Sequence, residues 1–156
     1  MSQTVSELLV GVLEQIGVRQ IFGLIGDSLN PIADAVRRSK IEWIGVRHEE
    51  GAALAAAGRA KLTGRLGVCA GTTGPGSTHL VAGLNEAGRN HAPVLALSDD
   101  MPRKMQGTDF HPDHRARSVV SRRLALYRNP FLRDTGAGRL SIRPSPPPMP
   151  APASRI

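Results

Sequence analysis

Cysteine is almost missing from this sequence: Cys69 is the only one in 156 residues, which excludes a disulfide framework. It sits in the apolar run Val68-Cys69-Ala70, so a buried strand cysteine is expected rather than a nucleophile. No stretch of 18 apolar residues occurs, and the first 20 residues carry Glu7 and Glu14 in place of a charged-then-apolar leader. Those absences predict a chain without a membrane-spanning or secretory segment, suited to the cytoplasm. At this length there is room for one compact core, and a second full domain does not fit.

Charge is the next feature, and its distribution matters more than its sum. The formal charge is +7, yet from Met1 to Asp109 11 Lys plus Arg face 11 Asp plus Glu. From Phe110 to Ile156 there are nine Arg, no Lys and two Asp, so the whole excess lies there. Eight of the 12 prolines follow Phe110, whereas 15 of the 17 glycines precede it. Two kinds of sequence are joined: a domain over 1–110, and a basic Pro/Arg-rich tail over 111–156 too poor in apolar residues to bury a core. The tail is expected to be disordered and removable by brief proteolysis.

Within the first part, helix and strand signals alternate. Thr4-Val5-Ser6-Glu7 fits a capping box, and Val5, Leu8, Leu9, Val12, Leu13 and Ile16 follow at helical spacing until Gly17 stops the pattern. Gln20 to Ile25 reads as a short buried strand, and Ser28 or Asn30 can cap a following helix with Pro31 in its first turn. Glu42 to Val46 is a second strand and Leu66 to Ala70 a third. Between them the Ala-rich run Glu49 to Leu62 forms a helix whose small side chains let it lie close to a sheet. Ser77 to Gly88 is a further helix and Pro93 to Leu97 a fourth strand, with Asp99-Asp100 in the loop beyond. The order predicts an α/β fold, a parallel sheet covered by helices on both faces.

Ligands of such sheets sit beyond the C-terminal strand ends. Three loops lie there: Gly26-Asp27-Ser28, Arg47-His48-Glu49-Glu50, and Gly71-Thr72-Thr73-Gly74-Pro75-Gly76. The last lacks the Lys of a phosphate-cradling P-loop, and the first lacks the later glycines of a dinucleotide fingerprint, so a nicotinamide protein is set aside. Read by themselves, Glu49 and Glu50 are equally well acidic residues of a helix first turn, favoured there by the dipole. His79 and His91 have no partner at metal-ligand spacing and read as packing histidines; His48 reads as a structural or positioning residue.

Together the loops are more specific. Gly17-Val18, Gly26-Asp27-Ser28-Leu29-Asn30, Glu42-Trp43, Arg47-His48-Glu49-Glu50, Cys69-Ala70-Gly71, Gly74-Pro75-Gly76, His79-Leu80 and Arg89-Asn90-His91-Ala92-Pro93-Val94-Leu95 closely resemble the pyruvate oxidase and quinone-dependent pyruvate dehydrogenase branch of thiamine-diphosphate enzymes. The likeness runs from about Gln3 to Phe110 and is to the N-terminal, pyrimidine-binding domain. It implies the thiamine-diphosphate-binding fold, with Glu49 as the carboxylate that hydrogen-bonds N1′ of the aminopyrimidine. It also implies that Gly26, Asp27, Thr72, Thr73, Gly74, Pro75 and Gly76 line that ring, the glycines permitting close backbone approach. No residue is assigned to a metal. The substrate implied is a pyruvate-type 2-oxo acid, and the assembly a homo-oligomer. Acetolactate synthase shares the Arg-His-Glu and Gly-Pro-Gly elements and is the alternative parent; Gly26-Asp27-Ser28-Leu29-Asn30 and His79 favour the pyruvate oxidase branch.

After Phe110 the pattern stops. Neither the FAD-binding domain nor the Mg²⁺-holding Gly-Asp-Gly to Asn motif of that family is recognisable there, so a half-site for the cofactor, inactive alone, is expected. Codons can be chosen for Asp113 to Pro130 that, read one nucleotide later, give Thr-Thr-Glu-Gln-Asp-Leu-Leu-Phe-Arg-Asp-Val-Ser-Leu-Tyr-Thr-Glu-Thr, a family-like continuation. A frameshifted tail is therefore expected. The competing reading, nucleic-acid binding by the tail arginines, lacks support from aromatics beyond Tyr127 and Phe131 or from a groove-reading element.

Overall fold

The computed structural model describes residues 3–99. The tail expectations, the frameshift and Asp100 lie outside the described residues. Helix α1 spans Val5–Gln15 and opens with the expected capping box: Thr4 Oγ1 accepts from the Glu7 backbone N–H while Glu7 accepts from the Thr4 N–H. It ends at Gly17, whose φ of +89° is a conformation that a Cβ disfavours. Strand β1 (Gln20–Gly23) leads through a 3-10 turn (Asp27–Leu29) into α2 (Asn30–Arg37). Then come β2 (Glu42–Gly45), α3 (Glu49–Thr63), β3 (Gly67–Gly71), α4 (Pro75–His79), α5 (Val81–Arg89) and β4 (Val94–Ser98).

All four strands are parallel, in the order β2-β1-β3-β4. The chain leaves β1 toward one edge of the sheet to make β2 and returns to β1's other side to make β3. Loops therefore diverge above the β1 and β3 ends, which opens a crevice there.

The strands alternate their side chains between two layers of core. On one face Ile21, Val68, Ala70 and Leu97 meet Val10 and Leu13 of α1 and Ala35 and Val36 of α2. On the other, Cys69 meets Ala52, Ala53 and Ala56 of α3, together with Leu80 and Leu84. Each large aliphatic side chain fully buried in this way contributes roughly 1.5–3 kcal/mol. The small residues of α3 allow backbone approach instead. A methyl group on Gly67 would collide with the Ala56 carbonyl, and one on Gly83 would stand 2.5 Å from Ala53 Cβ.

Four expectations need correction. Among the described residues of α1, Val10 and Leu13 are buried, while Val5 and Leu8 of the expected stripe are 60% and 55% exposed. Apolar residues surround much of this helix, so spacing alone did not select the face. The face that is buried is the one packed against α2 and the sheet, where Val10 and Leu13 meet Ala35, Val36 and Ile21; Arg38, at the end of α2, adds an exposed ion pair to Glu7 at 3.1 Å. Neither Ser28 nor Asn30 caps α2: Ser28 Oγ shares a 2.9 Å hydrogen bond with Thr72 Oγ1 instead. The expected single helix over 77–88 is two, α4 starting at Pro75 and α5 at Val81. Leu80, buried between them, has φ −66° and ψ −22°, the values of a tightened 3-10 turn. His91 is exposed in a turn at φ +52°, not a packing histidine.

Candidate functional site

The site starts from α3, whose first residue is Glu49. His48 caps that helix: its backbone is extended, and its Nδ1 accepts the Glu50 N–H at 3.3 Å. The cap turns the chain so that Glu49 faces the sheet and Glu50 faces out. Glu49 is 5% exposed, whereas Glu50 is exposed. Two adjacent carboxylates that are alike in sequence are thus unlike in environment. A buried carboxylate is tolerated only with partners. Glu49 has the N-terminal end of α3 and a hydrogen bond between its Oε2 and His79 Nδ1 at 3.0 Å.

Its other oxygen, Oε1, makes no hydrogen bond among the described residues. That oxygen looks across Gly76, where an added methyl group would stand 3.1 Å from it. Gly76 thus keeps the space beside Glu49 open, and the expected proximity of Glu49 to the Gly74 loop is observed. Gly74 itself, at φ +65°, ends the loop from β3 and starts α4.

The third loop meets the second at Thr72. A methyl group on Gly26 would lie 2.6 Å from Thr72 Oγ1, so only glycine lets the β1 and β3 loops come this close. Ser28 joins them by its bond to Thr72 Oγ1, and Ser77 Oγ donates to the Thr72 carbonyl at 2.9 Å. Ser77 also hydrogen-bonds Ser98 at the end of β4. Asp27 opens the 3-10 turn and is exposed; Thr73 and Pro75 are half-buried within the loop and the first turn of α4. Gly26, Asp27, Glu49 and Thr72 to Gly76 all lie at the C-terminal ends of β1 and β3 or at the start of α3.

One residue of the site was misjudged from sequence: His79 is a half-exposed residue bonded to Glu49, not a packing histidine. His48 has the positioning role expected of it, capping α3 and stacking its ring on that of His79 with centroids 4.5 Å apart and planes 26° from parallel. The spacing of 30 residues between Glu49 and His79 carried no signal of this; only the sheet brings them together. Donor atoms of His48, Glu49 and His79 lie within 4.8 Å of one another. Stacking, however, holds the in-plane lone pairs of the two rings in separate layers, and each Nδ1 is already committed, that of His48 to the Glu50 N–H and that of His79 to Glu49. The set does not converge on one ion as it stands.

Cys69 is fully buried in β3, and burial pushes its thiol up to about 12, the inert state expected of it. Among the described residues no helix is long and apolar enough to cross a membrane.

Residues 3–119 match the family described as thiamine pyrophosphate enzyme, N-terminal TPP binding domain. Over 91 residues the chain is 53% identical to pyruvate oxidase of Lactiplantibacillus plantarum, covering 57% of this chain and 15% of that protein. It is 47% identical over 105 residues to acetolactate synthase of Arthrospira platensis, covering 65% and 18%. It is 39% identical over 127 residues to the acetolactate synthase isozyme 2 large subunit of Escherichia coli, covering 81% and 23%. The chain thus spans less than a third of the length of these relatives, which divide between two activities. The chain belongs to the thiamine pyrophosphate enzymes, and what it carries is their N-terminal, cofactor-binding domain.

Proposed function

We propose that Glu49 is the carboxylate that hydrogen-bonds the ring nitrogen of the cofactor's aminopyrimidine, with Gly26, Asp27, Thr72, Thr73, Gly74, Pro75 and Gly76 around that ring. The observation that carries this reading is a buried carboxylate with one oxygen held by His79 and the other turned toward space that Gly76 keeps free. The residues suit the group. A flat ring needs close backbone approach on its faces, and one carboxyl in a desolvated setting for its nitrogen, where a shared proton counts for far more than in water. When bound, thiamine diphosphate supplies a carbon nucleophile and an electron sink; the protein supplies position and the proton.

The finer reading is the branch that oxidatively decarboxylates pyruvate, in an oligomeric cytoplasmic enzyme using Mg²⁺ and FAD. The run Gly26-Asp27-Ser28-Leu29-Asn30 and His79 support it, and the similarity to a pyruvate oxidase agrees. The alternative is acetolactate synthesis, which the similarity to acetolactate synthases keeps in view.

Because this chain is expected to hold half of the site, the binding test is calorimetric titration, with thiamine diphosphate and Mg²⁺, of a protein that joins it to a pyrophosphate-binding domain. Glu49→Gln should weaken binding by about tenfold, the equivalent of one hydrogen bond to a charged group. Unchanged affinity would overturn the role given to Glu49. The branch is tested in a protein that joins this domain to a pyrophosphate-binding domain: reduction of an electron acceptor by pyruvate supports oxidation, and acetolactate as product supports the alternative.

A further inference from the structure

The bond between Glu49 Oε2 and His79 Nδ1 can exist with the proton on either atom. When Glu49 is ionised, its oxygen only accepts, so Nδ1 carries the hydrogen. When Glu49 is protonated, its O–H donates to the bare Nδ1 of a neutral ring. The two ends of the bond differ in exposure, 6% for the Glu49 side chain and 43% for that of His79. The second ring nitrogen of His79, Nε2, makes no hydrogen bond among the described residues. The buried carboxylate is thereby joined to a ring that is itself far more exposed.

His48 holds that ring from above. Because its Nδ1 accepts the Glu50 N–H, that nitrogen is bare and the ring is neutral in the arrangement seen. The stacked pair is therefore asymmetric, and His79 is the member able to take up a proton. Among the described residues Glu49 is the ionisable side chain that His79 hydrogen-bonds. Of the elements packed on α4, α3 carries Glu49 and exposed Glu50 nearby; its Arg59 bonds Gln20 and its Lys61 pairs with Glu86 of α5. Arg89 lies in the last turn of α5, and Cys69 of β3 is sealed in the core.

We propose that His79 is the positioning and proton-relay residue of this site, fixing Glu49 through Nδ1 and exchanging its proton with solvent through Nε2, with His48 as the stacked neutral partner that holds the ring. This rests on the reading of Glu49 as the group that exchanges a proton with the cofactor. The transfer balances: a proton leaving Glu49 Oε2 bonds to Nδ1, and the imidazolium so formed releases its Nε2 proton to water. The reverse sequence restores the protonated carboxyl, and only O–H and N–H bonds change.

Two measurements decide it, the first on the whole chain. The first needs no cofactor: ¹⁵N NMR of labelled histidine, at a pH where the rings are neutral, reports which nitrogen bears hydrogen. His79 is expected as the Nδ1–H tautomer in the wild type and as the ordinary Nε2–H tautomer in Glu49→Ala, with His91 unchanged as control. The same His79 tautomer in both proteins would overturn the coupling. The second is the rate at which solvent deuterium replaces the C2 hydrogen of thiamine diphosphate held by this domain joined to a pyrophosphate-binding domain, followed by ¹H NMR. His79→Gln keeps an N–H donor but cannot relay a proton, so it should keep the wild-type affinity and lose about a hundredfold in exchange rate, the usual worth of a positioned acid–base group, whereas His79→Ala should lose both. A wild-type exchange rate in His79→Gln would overturn the relay. Failure of the underlying site reading is distinguishable, since it shows as unweakened binding by Glu49→Gln whatever happens at His79.

Discussion

The two faces of the sheet are built on opposite strategies. Toward α1 and α2 the core consists of large aliphatic side chains, Val10, Leu13, Ile21, Val36, Ile41, Val68 and Leu97. Toward α3 and α5 it is made largely of alanine and glycine, and the helices approach until backbone meets backbone. The site belongs to the second face, since α3 carries Glu49 and α4 carries His79. The difference teaches where precision is needed: side-chain layers can relax when a group is lost, whereas a helix seated on carbonyl oxygens cannot shift without moving what stands on its end.

Adding a single methyl group on the tight face is the sharpest way to break this contrast. Gly67→Ala drives its Cβ into the Ala56 carbonyl, a backbone atom that cannot swing aside. The cost should exceed the usual overpacking range of about 1–3 kcal/mol and abolish a cooperative denaturant transition. A well-folded Gly67→Ala protein would show that α3 has slack. Removing bulk from the other face should be survivable: Leu13→Ala leaves a cavity worth about 3 kcal/mol, read as a lowered urea midpoint with the site's ¹⁵N histidine pattern intact.

A smaller effect is expected at the start of α1. Thr4→Ala removes the cap and should cost about 1 kcal/mol. Its partner Glu7 has its carboxyl held below the ordinary carboxylate range, first by the Thr4 N–H, then by the Thr4 hydroxyl, with Arg38 adding to both. A carboxyl depressed in the folded state adds stability that is present above its unfolded titration and lost as pH falls through its folded one. The stability gap between wild type and Glu7→Gln should therefore be present at neutral pH and close in acid; a gap that persists in acid would assign the effect to packing. The smallest expected effect concerns access to the tight face. Cys69 should resist a thiol reagent at mildly alkaline pH in the native protein and react only on unfolding.

Much of the fold was legible because it rests on local rules. The capping box at Thr4, the stop at Gly17, the four apolar strands and the small-residue helix from Glu49 all follow from periodicity and turn chemistry. Strand ends were off by one or two residues, β1 stopping at Gly23 where the apolar run continues to Ile25. Leu24 and Ile25 are apolar but exposed, because they have already left the sheet for the crevice. The break at Leu80 was illegible because αR and 3-10 geometries draw on the same residues.

For the site, the sequence by itself determined which residue types stand at the strand ends: a carboxylate pair after Arg47-His48, glycines where backbones must approach, and a lone cysteine in a strand. It could not decide which member of Glu49 and Glu50 is buried, because both are favoured in a helix first turn. That was decided by the His48 cap and by the roll of α3 on its alanines. Nor could it join His79 to Glu49 or stack His48 upon it, since residues 30 apart in the chain have no local rule to link them. Those contacts exist because α3, which leaves the sheet from β2 at its edge, crosses back to pack on β3, so that its first turn stands beside α4, the helix that β3 releases.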